Sequence, residues 1–437
     1  MPMSMKSPQL MPTFLWILLF GLCTATLSCC QDVKQRDETI STVTASPPSP
    51  EPTDRPRWLS LPADLSGQEI VYLSNRTGLA EIWLLDLATG SERQLTTTDC
   101  SGALVGGYVP EWYQPGVDRF AWSPDGQKIA YLAMCTSVGH LAQLNIVNLG
   151  TGDVISITNK VSTYSYPSWN PSGNHLIFEW DKVTTCRMYV ADLGEEDSIK
   201  IKQITNDSWD GCFHCPKWSP DGKYVAYQGP YIGVAWRTYV SIVDLEGNHM
   251  SYKPEYQDEY QSRDASWIAE PGCDGIAWSH NGRHLAIACA RGYVPGGLEI
   301  AEVEEQTATM HSGLVTYDRE SFGLDFYSPV FSPDDETLYF VSTWPDTKYG
   351  WPLGTIYSIQ VHDLLLDNSS PDVQVISPES QLAGFPALSP DGKWLLYAVK
   401  TGEAIQVWLQ AVDGTYRQCL IGDGFVNTRP AWRPSSR

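Results

Sequence analysis

The residues in this chain that could do chemistry are scattered rather than clustered. The eight histidines share no ligand-type spacing. Cys212-Phe213-His214-Cys215 is a single Cys-x-x-Cys element with no second half, so it does not read as a zinc site. It leads into a strand rather than opening a helix, which argues against a thioredoxin-type thiolate. No Gly-x-Ser-x-Gly elbow is present to hold a serine nucleophile. No metal and no cofactor is therefore expected. What the chain offers instead is aromatic surface: Tyr108, Trp112, Tyr113, Trp209, Phe213, Trp267, Trp344, Tyr349 and Trp351, all in irregular segments. Flat rings with polar edges suit sugar faces or the side chains of a protein partner. The same rings could also pack beneath their own loops. Asn75-Arg76-Thr77, Asn206-Asp207-Ser208 and Asn368-Ser369-Ser370 match the glycosylation sequon, which has meaning only in a eukaryotic host.

The elements that position these loops follow from one recurring phrase. FAWSPDGQKIAY begins at Phe120, PKWSPDGKYVAY at Pro216 and PALSPDGKWLLY at Pro386. Weaker copies begin at Pro167, Ile276 and Pro329, a degenerate one at Ala63, and a truncated one, PAWRP, holds Trp432. Each phrase predicts a β-hairpin. An apolar strand ends on a large anchor (Trp122, Trp169, Trp218, Trp278, Phe331 or Leu388), a Ser-Pro-Asp-Gly turn follows, and an alternating strand returns. The turn aspartates Asp125, Asp221, Asp334 and Asp391 read as caps of their own turns. A third strand such as 81–87 and a short fourth such as 93–96 complete a four-stranded antiparallel unit, the size and make-up of a propeller blade. Anchors at 63, 122, 169, 218, 278, 331, 388 and 432 are separated by 59, 47, 49, 60, 53, 57 and 44 residues. These intervals predict an all-β, seven-bladed β-propeller, with six blades the alternative if the degenerate first copy is no blade. The last anchor has no room for a blade after it, so strand 427–432 is expected to pair with the N-terminal strands and close the ring, removing two open sheet edges.

The Pro-Asp-Gly hairpin, followed by endings of the Asp-Leu-x-Thr-Gly and Leu-Thr kind, resembles the TolB-like, WD40-like propeller repeat. The resemblance runs from about residue 60 to the C-terminus. TolB carries an α/β domain ahead of its propeller that has no counterpart here, so a role in the Tol–Pal system is not implied. Peptidases of the prolyl oligopeptidase and tricorn types place such propellers beside a hydrolase or protease domain, for which this chain has no room.

Strand order gives the propeller two unlike faces. The Ser-Pro-Asp-Gly turns collect at the bottom and are short and uniform. The links from second to third strand, and from fourth strand to next blade, collect at the top. There, segments 97–118, 254–272, 311–327 and 343–354 are long and irregular. Long loops on a rigid scaffold commonly carry binding, which makes the top face the expected functional one.

The N-terminus reads as an export signal over 1–29, with Lys6 ahead of a short apolar run, Phe14 to Phe20, too short to span a bilayer. It ends in Thr26-Leu27-Ser28-Cys29-Cys30, which resembles a bacterial lipobox with Cys29 as the lipidated residue. An ordinary cleaved signal is the alternative. Residues 30–57, rich in Pro, Ser and Thr, read as a disordered tether, and 58–437 as the propeller. A formal net charge of −22 argues against a nucleic-acid partner and against docking on anionic lipid headgroups. The expected protein is an exported, membrane-anchored monomer at the cell surface or in the periplasm.

Export also bears on the eight remaining cysteines, Cys100, Cys135, Cys186, Cys212, Cys215, Cys273, Cys289 and Cys419. Hairpin register brings Cys273 opposite a neighbour of Cys289. Cys100 and Cys135 border the second blade's top links, and Cys186 lies close to where Cys212 and Cys215 enter the fourth blade. Three top-face disulfides are expected, leaving Cys419 and one of Cys212 or Cys215 single. Buried reduced thiols are the alternative. The functional expectation is a non-catalytic, surface-tethered binding or scaffold module for an envelope protein, peptide or glycan. The rival is an enzyme acting on saccharides, of lyase or hydrolase type, from a top-face or central-channel pocket.

Overall fold

Each Ser-Pro-Asp-Gly turn is held by the same small set of bonds. Ser123 Oγ donates to Asp125 Oδ1 at 2.6 Å and accepts from the Lys128 N–H at 2.8 Å, while Asp125 Oδ1 also accepts from the Gln127 N–H at 3.0 Å. Ser219 with Asp221 and Ser389 with Asp391 repeat the pattern, and Asn281 takes the aspartate's place beside Ser279. The glycine that follows is left-handed, as at Gly222 (φ 72°), a conformation that costs a glycine nothing. The aspartates cap their own turns, as their position in the phrase implies. Fourth strands end by a second local device. Thr96 Oγ1 accepts from the Ile82 N–H at 3.0 Å while Gln94 Nε2 donates to the Thr96 carbonyl at 2.7 Å, and Thr205 and Gln203 do the same at Met188. A Gln-x-Thr ending thus extends the ladder one step beyond the strand.

The structure is a computed structural model that describes residues 61–99, 116–134, 141–162, 165–181, 186–194, 199–205, 214–228, 240–248, 250–254, 275–288, 297–305, 307–315, 325–343, 353–366, 372–378 and 381–435. Its strands fall into successive groups in chain order. The first holds β1 (Glu69–Ser74), β2 (Glu81–Asp86) and β3 (Glu92–Gln94). Then come β4 (Gly116–Trp122), β5 (Lys128–Met134), β6 (Leu141–Asn148) and β7 (Val154–Ser162). A third group is β8 (Ser168–Trp169), β9 (His175–Asp181), β10 (Cys186–Asp192) and β11 (Lys200–Gln203). The fourth is β12 (His214–Trp218), β13 (Tyr224–Gln228), β14 (Val240–Asp244) and β15 (Ser251–Pro254), and the fifth β16 (Ile276–Trp278), β17 (His284–Ala288), β18 (Gly297–Glu304) and β19 (Thr307–Val315). A sixth is β20 (Asp325–Phe331), β21 (Thr337–Thr343), β22 (Leu353–Gln360) and β23 (Val373–Val375), with the short helix α1 (Val361–Leu365) before β23. Last come β24 (Ala383–Leu388), β25 (Trp394–Thr401), β26 (Ala404–Ala411), β27 (Arg417–Ile421) and β28 (Asn427–Trp432). The four strands β28-β1-β2-β3 form one antiparallel sheet, with Ile70 opposite Trp432 and Ser74 opposite Asn427.

One strand departs from the expected four-stranded antiparallel unit. β15 does not pair with β14; it runs parallel to β19 of the next group, Ser251 opposite Thr307. The residues between β14 and β15 are tied to β14 by bonds from the Met250 N–H to the Ile242 carbonyl and from the Asp244 N–H to the Asn248 carbonyl. Pro254 ends β15 without an N–H to give, a feature that suits an edge rather than an interior strand.

The seams between groups use two recurring contacts. The indole N–H of an anchor tryptophan donates to the carbonyl just before the preceding group's anchor: Trp169 to Ala121 at 3.1 Å, Trp278 to Lys217 at 3.1 Å and Trp432 to Ala387 at 3.0 Å. Below them, a turn glycine lies against the turn proline of the group before. A Cβ on Gly222 would come within 3.3 Å of Pro171, and one on Gly392 within 2.9 Å of Pro333. At the seam between the fifth and sixth groups both partners change together. His280 stands where proline is usual and Asp335, at φ 62°, where glycine is usual. Asp335 accepts from the His280 N–H at 2.6 Å, the Asn281 N–H at 2.8 Å and His280 Nδ1 at 2.9 Å. A proline at 280 would have no N–H to give.

β28 takes part in the same contacts. Beyond Trp432, Pro434 lies so close to Gly126 that a Cβ there would sit 2.8 Å from the Pro434 carbonyl. Arg433 pairs with Glu69 and donates to the Gly126 carbonyl at 2.9 Å. At the other end of β1, Arg76 pairs with Glu92 and, at 3.0 Å, with Asp423 from the segment leading into β28, and its guanidinium lies 4.5 Å from the Trp83 ring. The apolar faces between groups make the core, where Tyr72, Tyr227, Tyr397, Phe178, Phe326 and Phe340 are fully buried.

Candidate functional site

Much of the repeat is repeated because every unit needs it. The residue three places before each anchor is among those that vary. It is Arg119, Tyr166, Cys215, Gly275, Ser328, Phe385 and Arg429 in successive copies, and proline follows in five of them. Four of these residues are left-handed: Cys215 (φ 59°), Ser328 (φ 51°), Phe385 (φ 54°) and Arg429 (φ 50°). The ladder skips at each, between His214 and Lys217, Tyr327 and Val330, Gly384 and Ala387, and between the Val71 and Leu73 partners on β28. Each left-handed non-glycine residue costs roughly 1–2 kcal/mol. Strain repeated at one register of the innermost strands marks a place where side chains are aimed.

These side chains meet across groups that are not neighbours in sequence. The Tyr166 ring has the Arg119 guanidinium 4.2 Å from its centre, Arg429 at 5.5 Å and the Lys217 ammonium at 5.6 Å. Arg429 also donates to the Tyr166 hydroxyl at 3.0 Å and lies 4.8 Å from the centre of the Phe385 ring. Arg119 donates to the Ser165 carbonyl at 3.4 Å. Contributions from β4, from the segment entering β8, and from β12, β24 and β28 can converge only where the innermost strands face one another, at the axis. Arg119 is only 7% exposed, and Tyr166 and Phe385 are equally buried. The fully buried Glu179 is adjacent, its N–H donating to Ser165 Oγ at 2.8 Å. Among the described residues, three cations thus gather around one aromatic ring. Each cation–ring contact stabilises by roughly 0.5–2 kcal/mol. Chemically the arrangement concentrates positive charge on aromatic faces in a place of low dielectric, where a cation–ring contact counts for more than in water.

A concavity of about 430 Å³ lies at the turn end, lined by Asp221, Lys223, Tyr224, Trp278 and Glu305 among others. Its Tyr224 hydroxyl already donates to the Glu305 carbonyl at 2.6 Å. Among the described residues, no group of three or more His, Cys, Asp or Glu side chains is placed to hold a metal ion, and no helix is long and apolar enough to cross a membrane.

The aromatic residues expected to bind, Tyr108, Trp112, Tyr113, Trp209, Phe213, Trp267, Trp344, Tyr349 and Trp351, lie outside the described residues, as do Cys29, Cys100, Cys135, Cys212, Cys273 and Cys289. Cys186 opens β10, opposite Asp181. Cys215 is disulfide-bonded, so it supplies no thiolate at the axis. Cys419 in β27 is a free thiol, pushed up to about 11 by burial and then by Asp423. The axial residues were missed from sequence, although a signal existed. Stacking the copies on their anchors puts Arg119, Tyr166, Phe385 and Arg429 in one column, followed by proline in most copies.

No protein-family model matches the chain. Dipeptidyl-peptidase 5 of Porphyromonas gingivalis is 29% identical over 123 residues, a match that spans 26% of this chain and 17% of that protein. Among solved structures, a prolyl endopeptidase superposes with a TM-score of 0.51 at 13% identity, covering 81% of this chain and 50% of that one. An oligogalacturonate lyase from Vibrio parahaemolyticus gives 0.51 at 14% identity, covering 79% and 86%. TolB from Acinetobacter baumannii gives 0.48 at 16% identity, covering 86% and 68%. The chain is an all-β protein with a β-propeller fold.

Proposed function

We propose that the chain is a non-catalytic binding or scaffold module, exported and tethered to a membrane through Cys29 and the 30–57 segment. Its body is a propeller of seven blades closed by β28, and its partner is an envelope protein, peptide or glycan held at the link end. Closure is supported by the pairing of β28 with β1 and by Trp432 and Pro434 repeating the seam contacts of the other anchors. The binding reading rests on one observation above the rest: Arg119 and Arg429, three residues before their anchors, gather with Lys217 around Tyr166, which holds the same position in its own copy. That column sits three residues, roughly 10 Å at the rise of a strand, from the anchors toward the link end. The test is affinity capture from the native envelope with the full chain, alongside a screen for turnover of polysaccharide fragments. A partner retained without turnover is the expected result. Turnover would replace this reading with that of a saccharide-acting enzyme.

A further inference from the structure

We propose that the outer edge of β7 is a self-association surface, and that its occupant is β7 of a second copy of this chain, paired antiparallel about a two-fold axis near Ser156. The inference goes beyond the binding reading and does not depend on it. A strand at the edge of a sheet presents a row of N–H and C=O groups without ladder partners. Natural proteins blunt such edges by shortness, charge, proline or a covering segment. The other outer strands follow that rule. β3 and β23 have three residues each. β11 has four and carries Lys200 and Lys202, and β27 has five and opens on Arg417. β15 has four and ends in Pro254. β19 matches β7 at nine residues, but β15 lies along its edge, Ser251 to Pro254 against Thr307 to Met310. Among the described outer strands, β7 is the one that is long, free of proline and uncovered from Val154 to Lys160. Only Val161, at its far end, meets β9, opposite Trp180.

The side chains on this edge are as unguarded as its backbone. Val154 and Ile155 are 51% and 54% exposed, the one adjacent pair among the large apolar side chains that the described residues expose. Successive residues of a strand face opposite ways, so apolar surface is open on both faces of the edge. Val154, Ile155 and Ser156 pair in regular succession with Val147, Ile146 and Asn145, and the register shifts of β7 against β6 fall beyond them. Charge selects a second copy as the occupant. From Val154 to Asn159 the strand carries no charge, while Asp153 before it and Lys160 after it have opposite signs. In a chain of net charge −22, such a strand lets two copies approach with little repulsion at the contact. Antiparallel pairing near Ser156 brings Asp153 of each copy close to Lys160 of the other, whereas parallel pairing would set like charges side by side. The two-fold makes the contact self-complementary and closes the assembly at two copies. A single strand pair buries less than the roughly 1,200 Å² of a stable interface, so the association is weak and governed by concentration. It departs from the monomer that the sequence alone suggests. Because antiparallel strands run in opposite senses, the two link ends point opposite ways, and the dimer bridges two partners rather than gripping one twice.

The experiment is sedimentation equilibrium of the full chain from micromolar to millimolar concentration. Wild type should pass from monomer to dimer and no further. Ile155→Lys places a charge on the edge and should raise the dimer dissociation constant about tenfold or more. Val375→Lys, at a side chain 45% exposed on the outer strand β23, should leave it unchanged. Lys160→Asp should weaken the dimer, and the double variant Asp153→Lys with Lys160→Asp should restore it, because the exchange returns opposite charges to each other across the two-fold. Circular dichroism checks that each variant folds, and Val154→Lys, equally exposed, takes the place of Ile155→Lys if that variant does not. A wild type that stays monomeric to millimolar concentration would overturn the proposal. So would a dimer indifferent to Ile155→Lys and Val154→Lys, or a charge exchange that restores nothing. Envelope capture lost in Ile155→Lys while wild type remains monomeric would give the edge to a strand of a different protein, and would overturn the second copy as its occupant.

Discussion

Removing residues 427–437 should cost far more than trimming an ordinary terminus. The deletion takes away Trp432, 6% exposed, and uncovers Ile70, Val71, Tyr72 and Leu73, all between 0 and 4% exposed at present. A buried tryptophan hides roughly 200 Å². At about 25 cal/mol per Å² that alone is about 5 kcal/mol. Leaving the β1 ladder unpaired brings the loss to roughly 5–10 kcal/mol. An unfolding entropy of about 2.1 cal/mol/K per residue, over the 269 described residues, gives about 0.6 kcal/mol/K. The thermal midpoint should therefore fall by about 8–17 °C. The milder Trp432→Ala, at about 3–5 kcal/mol, should lower it by about 5–8 °C. Differential scanning calorimetry of the full chain and both variants reads these shifts. A change of a degree or two in the deletion would refute the reasoning, because β28 would then be an appendage and not a strand the ring depends on.

The odd seam gives a compensation test. His280→Pro and Asp335→Gly should each destabilise, the first by about 1–3 kcal/mol through unmade bonds to Asp335, while the double variant restores the proline–glycine contact of the other seams and recovers part of the loss; thermal midpoints no better in the double than in the worse single would sink the idea. Acid should weaken the turns. At Asp125, Asp221 and Asp391 desolvation pushes the carboxyl up, but bonds from the turn serine and backbone outweigh it; at Asp334 the Ser332 bond dominates; all four lie below the ordinary carboxylate value. A depressed folded value contributes stability above the unfolded one, so urea midpoints should decline as pH falls below about 4, and Ser332→Ala should flatten that decline. Non-reducing peptide mapping should find Cys215 in a disulfide and Cys419 open to alkylation only slowly at neutral pH. Cys29→Ala should shift the protein from membrane to soluble fractions with unchanged circular dichroism, and continued membrane partitioning after correct cleavage would exclude lipidation there.

The hairpins were legible because each unit must solve the same local problem. A serine and an aspartate closing a turn, and a threonine ending a strand, are set within a few residues, so they surface as repeated letters. The anchors were legible for the same reason, though their indole bonds to the preceding group were not, since those partners lie some fifty residues away. The Pro/Gly seam was half visible: the letters repeat, but their mutual contact is tertiary, and the paired exchange at His280 and Asp335 has meaning only once the seam is known. β15 was misjudged because the partner of an edge strand is settled by what lies beside it, not by its own four residues. The axial cluster escaped because Arg119, Tyr166 and Arg429 share neither a motif nor a periodicity, only a register, which Lys217 joins from two residues further along its strand, and convergence of a register is settled in three dimensions.

Crosslinking mass spectrometry of the full chain in its native envelope tests the central reading most directly, because lysines mark both ends of the molecule. Crosslinks to a single partner should arise at the link end, from Lys217 and Lys160, and not from Lys128, Lys223 or Lys393 beside the turns. A partner held on the turn-side lysines, or turnover of polysaccharide by the purified chain, would contradict a binding module that works from its link end.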